Sequence, residues 1–240
     1  MSPHDYNMTG TLINIATVIA GSILGLIFGS RIPAKLKDTV IAGMGLFTAA
    51  MGLQMFLKTE NPLIVLGGIL IGTLLGEWMR IEDGLHRLGE VLEQRFSREE
   101  DDGSNKFVRG FLTASLLFCV GPMAILGSIQ DGLTGDYNLL AVKSVLDGFA
   151  ALAFASTLGI GVLFSALVIL IYQGGISLLA GTLSAIVTNA MLAEMTATGG
   201  VILMGLAISS LLEIKPIRVG NFIPALAVAP LIVWILSLFP

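Results

Sequence analysis

The chain has 240 residues, 55% of them hydrophobic and 12% charged, with a formal net charge of −4 at pH 7. Soluble domains carry about 25% charged residues, so this composition excludes a single water-facing globule. One cysteine, Cys119, excludes an internal disulfide, and two distant histidines, His4 and His86, cannot assemble a usual zinc site.

Spanning a bilayer takes about 20 apolar residues. Eight stretches approach that length: 10–29, 36–57, 61–79, 107–129, 138–157, 159–181, 195–213 and 220–238. The first follows a segment without Lys or Arg and stays apolar over 12–28, which reads as a retained helix rather than a cleaved signal. Gly29, Ser30 and Pro33 stop it, because proline cannot extend the helical hydrogen-bond ladder. Asn61-Pro62 opens the third stretch, and Lys215-Pro216 separates the seventh from the eighth. Between the third and fourth, Ile81, Leu85, Leu88, Leu92 and Phe96 recur at helical spacing among charged residues. That stripe predicts a helix lying on the membrane surface, with docking onto a partner as the alternative. Residues 97–105 read as a polar linker.

Eight spans put three loops on one side of the membrane, and these loops hold eleven of the thirteen basic residues. They are Arg31, Lys35 and Lys37; Arg80, Arg87, Arg95, Arg98, Lys106 and Arg109; and Lys215 with Arg218. The positive-inside rule then places both termini outside the cytoplasm. A weak internal similarity agrees with this count. GSILGLIFGS (21–30) resembles GGISLLAGT (174–182), and 40–53 lies over 195–208, matching Ala42 with Ala197 and Gly45 with Gly200. An offset of five spans inverts the second half relative to the first.

The expected fold is therefore an all-α polytopic membrane protein of about eight transmembrane helices, with inverted three-helix repeats flanking helices four and five. Within one membrane domain, 1–240, the first repeat is 10–79 and the amphipathic helix with its cytoplasmic linker is 80–106. The central pair is 107–157 and the second repeat is 159–238.

Polar residues inside these spans are the candidate site. Gly121-Pro122 should open the fourth helix near its middle and free the Phe118 carbonyl. A packing kink is the alternative. Ser128 and Asp131 follow toward the outer end, where Asp131 is expected near a mouth in contact with solvent. Lys143 and Asp147 are four residues apart on one helix face, about 6 Å along the axis, and ionised groups at that depth are costly without a partner or a task. They read as an ion-binding or titratable pair, against a purely structural pair or a Lys143 that snorkels outward. Gln173 adds an amide, while Glu194, Thr196, Thr198, Gly199 and Gly200 combine a carboxylate, hydroxyls and bare backbone. Ordinary capping of the seventh helix is the alternative for Glu194 and the threonines. Segment 183–193 reads as a short helix or a re-entrant piece.

No phosphate loop, HExxH motif or aromatic-interleaved basic patch is present in the sequence. No enzyme chemistry, cofactor, metal centre or nucleic-acid partner is expected; the glycine-rich faces are compatible with a homodimer.

The segments NIATVIAGSILGLIFGSRIP, CVGPMAILGSIQDGLTGD, KSVLDGFAALAFAS, EMTATGGVILMGL and KPIRVGNFIPAL carry a resemblance over nearly the whole chain. It is to a bacterial membrane family, domain of unknown function 554, the YqgA-like proteins. The resemblance implies a multi-pass bacterial inner-membrane protein whose substrate is not established, so it transfers no site residue. The expected function is secondary transport of a small solute or ion, coupled to H+ or Na+. An oligomeric ion channel and a scaffold or sensor using residues 80–105 are the rival classes.

Overall fold

Apolar runs too long for a water-facing core become helices here because only a helix satisfies every backbone group within one segment in lipid. A computed structural model describes residues 8–29, 31–96 and 104–238; His4 and most of the expected linker lie outside them. The helices are α1 (Thr9–Gly29), α2 (Ala34–Phe56), α3 (Pro62–Met79), α4 (Ile81–Phe96), α5 (Ser104–Val120), α6 (Pro122–Thr134), α7 (Asn138–Leu158), α8 (Ser165–Leu178), α9 (Ala180–Ile186), α10 (Asn189–Leu206) and α11 (Ala225–Ser237). Short 3-10 turns over Ile160–Phe164 and Val219–Phe222 lead into α8 and α11, and a π turn over Ala207–Leu211 ends α10. No strand occurs among the described residues.

Seven helical segments are long and apolar enough to cross a membrane, and α5 with α6, bent by 63° at Gly121, makes an eighth as a broken span. The register of the packed helices decides that α5 and α6 cross together. Cβ atoms added at Gly21, Gly25 and Gly29 would lie 2.2, 2.3 and 2.7 Å from the carbonyls of Gly148, Leu152 and Ser156. Both series climb in steps of four, so α1 and α7 run parallel. Parallel α1 and α7 require an odd number of crossings between α3 and α7, and the broken pair supplies it. By the same reasoning α3 and α11 are antiparallel, because Gly68, Gly72 and Gly76 meet Ala229, Ala225 and Asn221. Helices α2 and α10 are antiparallel too, with Gly45 on Leu212 and Gly52 on Gly200. Missing side chains let these backbones touch where lipid provides no hydrophobic drive. Large apolar side chains such as Phe47, Leu74, Phe149 and Ile171 stay exposed, as lipid-facing residues should be.

Several expected boundaries move, each for a local reason. The fourth span opens at Gly121-Pro122 into two helices, because Pro122 has no N–H to continue α5 and instead opens α6. The seventh starts at Asn189 rather than 195, since the Thr188 side chain caps it by accepting from the Met191 N–H at 3.2 Å. Segment 183–193 is accordingly split between the short α9 and the first turn of α10. The amphipathic α4 exists as read, but Leu85 and Leu92 pack against Phe107, Val108, Phe111 and Leu112 of α5. Part of its stripe is thus covered by the chain itself, while Leu88 and Phe96 stay exposed, Phe96 sitting 5.0 Å from Phe164 between ring centroids.

A buried polar cluster as the candidate functional site

Helix α7 enters beside α1 and carries Lys143 and Asp147, with Asn14 of α1 against Asp147. Asp147 lies nine residues into this 21-residue helix, about 13 Å deep at the helical rise and close to the middle of a span. The Lys143 ammonium bonds Asp147 Oδ2, and their side chains keep only 6% and 11% exposure. Lys143 therefore turns inward instead of snorkelling.

The close glycine contact of α1 with α7 brings a further residue to the pair. Asn14 of α1, fully buried, donates from Nδ2 to Asp147 Oδ2 at 3.0 Å and to Gln173 Oε1 of α8 at 3.3 Å. One amide thus ties three helices together. Asn14 Oδ1 and Gln173 Nε2 are left buried without a partner, one acceptor and one donor. An unmet buried polar group costs about 1–3 kcal/mol, so this arrangement retains unused hydrogen-bonding capacity beside an ion pair. Reading the sequence missed Asn14. The available signal was an amide, neither small nor apolar, inside the otherwise apolar 12–28 run.

Toward the outer ends of the same helices the polar column continues. Asp131 Oδ2 accepts the Gly10 N–H at 2.8 Å, Ser128 lies one turn below it on α6, and Thr11 and Ser177 flank them on α1 and α8. Asp131 was expected near a solvated mouth; it is instead fully buried, because the first turn of α1 covers it.

The second sequence-marked group lies elsewhere. Glu194, in the second turn of α10, does not cap its own helix. Its carboxylate accepts from the Thr59 hydroxyl at 2.6 Å and the Glu60 and Asn61 N–H groups at 2.8 and 2.9 Å, anchoring the α2–α3 turn. Thr198 returns its hydroxyl to the Glu194 carbonyl at 2.7 Å, and Thr196 is buried on the same helix. Gly200 packs on the Gly52 carbonyl, and a Cβ on Gly199 would lie 2.9 Å from the Val120 carbonyl, at the break before Gly121. The structure therefore pairs Lys143 and Asp147 directly, links Gln173 to them through Asn14 and puts Ser128 and Asp131 in the same helix cluster. Instead Glu194 anchors the α2–α3 turn, Gly199 and Gly200 lie at the α5–α6 break and the α2–α10 contact, and Thr196 and Thr198 are buried on the same helix.

On the basic face a cavity of about 780 Å³ opens between α4, α5 and the end of α10. A second cavity of about 450 Å³ lies between α2, α5 and α7. Arg109 and Glu213, paired to each other, line both. Neither cavity is lined by Lys143, Asp147 or Gln173.

Against known proteins, residues 9–234 match the family model described as protein of unknown function (DUF554). The chain belongs to the DUF554 family. Within it the chain is similar to the uncharacterized membrane protein YdfK of Bacillus subtilis (strain 168), at 31% identity over 97% of this chain and 98% of that one. It is also similar to the uncharacterized protein YqgA of Escherichia coli (strain K12), at 30% identity over 92% and 94% of the two chains. No solved structure matches. YdfK is named a membrane protein, and the seven or eight apolar helices of this chain fit a multi-pass membrane protein.

Proposed function

We propose that this DUF554 protein is a secondary transporter that moves a small solute or ion across the bacterial inner membrane, coupled to H+ or Na+. The observation that carries the reading is the Lys143–Asp147 pair, buried near the middle of α7 and held by Asn14 and Gln173. Intramembrane ionisable residues are rare and mark ion and substrate paths. This pair also keeps an unmet donor and acceptor at its side. In the proposed cycle Asp147 exchanges its Lys143 partner for the coupling ion or for a cationic part of the substrate, and Lys143 stays available to a substrate anion.

Two further features support alternating access. The antiparallel contacts of α2 with α10 and α3 with α11 are those expected if two inverted halves meet at a pseudo-two-fold axis. The break at Gly121 lies against Gly199, where one half can hinge on the other. The cavities beside Arg109 then act as vestibules on the cytoplasmic side, with both termini on the opposite side by the positive-inside rule.

The test is coupled uptake in proteoliposomes under an imposed proton or sodium gradient. Asp147→Asn is expected to insert and fold yet abolish coupled uptake. Uptake at the wild-type rate by that variant removes Asp147 from the mechanism.

A further inference from the structure

Asp131, near the end of α6, is a further buried carboxylate that the Lys143–Asp147 pair does not use. It is fully buried and, among the described residues, has no ion-pair partner. Among the described residues its charge is met by the N-terminus of α1, with the Gly10 N–H on Oδ2 and the Thr9 and Thr11 N–H groups also directed at the carboxylate, and a helix terminus offsets about half an elementary charge. A fully buried carboxylate needs more compensation than that.

The surroundings are rich in uncommitted oxygen. Asp131 Oδ1 has no hydrogen-bond partner, nor do Ser128 Oγ, Thr11 Oγ1 and Ser177 Oγ, and all four lie on residues at most 2% exposed. The backbone brings their helices into contact at this level. Ser128 is one turn from Asp131 on the same face of α6. Thr11 follows the Gly10 that bonds Asp131. A Cβ on Gly132 would lie 2.2 Å from the Ser177 carbonyl. Four orphaned oxygens together would be expensive to bury for packing alone, at about 1–3 kcal/mol each.

We infer that Asp131, Ser128, Thr11 and Ser177 form a binding site for a monovalent alkali cation, Na+ being the ion the oxygen set suits best. Hard cations take oxygen ligands, and one carboxylate among neutral oxygens balances a single charge. The same composition disfavours transition metals, which prefer imidazole or thiolate; no group of three or more His, Cys, Asp or Glu capable of holding a metal occurs among the described residues. The site lies at the outer ends of α1, α6 and α8, one to two turns from Asn14 and Gln173 on α1 and α8. Its occupation would order those helices around the Lys143–Asp147 pair. Its role as a coupling site rests on the transporter reading, whereas the binding itself does not.

The experiment measures equilibrium binding of radioactive sodium to the purified full-length protein in detergent, with choline chloride as the ionic-strength control. Saturable binding approaching one ion per chain is expected, with a matching Na+-dependent rise in melting temperature. Asp131→Asn keeps an acceptor for Gly10 and is expected to lose the binding. Ser128→Ala with Ser177→Ala leaves the α1 contact untouched and should weaken binding by at least about tenfold, the scale on which loss of groups supporting a metal site acts. Glu194→Ala, at the α2–α3 turn, should bind Na+ as wild type does, and because binding is read without uptake the two readings can fail separately. Absence of saturable Na+ binding in the wild type, wild-type binding by Asp131→Asn, or loss of binding in Glu194→Ala as large as in Asp131→Asn overturns the proposal.

Discussion

Removing Lys143 while leaving Asp147 in place tests the buried pair without assuming any transported species. In Lys143→Met the Asp147 carboxylate keeps one neutral donor, the Asn14 amide, in a position with only 11% side-chain exposure. Breaking a buried ion pair from one side costs about 3–5 kcal/mol, and Asp147→Leu, which strands the ammonium instead, should cost a similar amount. The double variant Lys143→Met/Asp147→Leu removes both charges. Replacing a whole buried pair by apolar groups is often neutral or stabilising, but here Asn14 loses one of its two acceptors, keeping Gln173 Oε1, at about 1–3 kcal/mol. The double variant should therefore fall within about 3 kcal/mol of wild type, far short of the sum of the single losses. Reversible unfolding in mixed micelles, followed by Trp78 and Trp234 fluorescence, yields the three free energies. Single variants within about 0.5 kcal/mol of wild type, or a double variant whose loss equals the sum of the singles, would refute burial and pairing of these residues, since contacting groups couple by more than that.

Other expectations follow from particular contacts. Gly76→Ala would place a Cβ 2.0 Å from the Asn221 carbonyl and should destabilise by about 1–3 kcal/mol in the same unfolding assay, whereas Gly43→Ala meets nothing within 4 Å and should be neutral or slightly stabilising. Glu194→Ala removes the acceptor of one hydroxyl and two N–H groups in the α2–α3 turn; hydrogen–deuterium exchange over residues 57–63 should rise, while sodium binding at Asp131 should not change. Arg218→Ala breaks contacts to Glu77 and Asp83, but these groups are about half exposed, so the loss should stay below about 1 kcal/mol and shrink further in high salt. In a Cys119→Ser background, single cysteines at Asp136 and Glu60 should react with an impermeant maleimide from one side of the membrane and one at Asp83 from the other, and labelling of all three from one side would contradict the eight-span register.

What the sequence alone determined was the class of structure and where its anomalies lie. Apolar runs of about 20 residues can only become helices in lipid, so the spans at 10–29, 61–79 and 138–157 stand within two residues of α1, α3 and α7. Gly121-Pro122 marked the break because proline lacks a donor wherever it sits. Lys143 and Asp147 announced themselves through their cost in hydrocarbon. Tertiary structure decided the rest, because which side chains meet across helices depends on register. No local pattern shows that Asn14 reaches both Asp147 and Gln173 across three helices, which follows from the parallel glycine contact of α1 with α7. The Thr-Gly group after Glu194 resembled a ligand site in composition, but antiparallel packing of α10 on α2 directs it into a helix contact and the α2–α3 turn. Asp131 looked like a solvated residue by its place near a helix end, and it is buried because a helix 121 residues earlier in the chain lays its first turn over it.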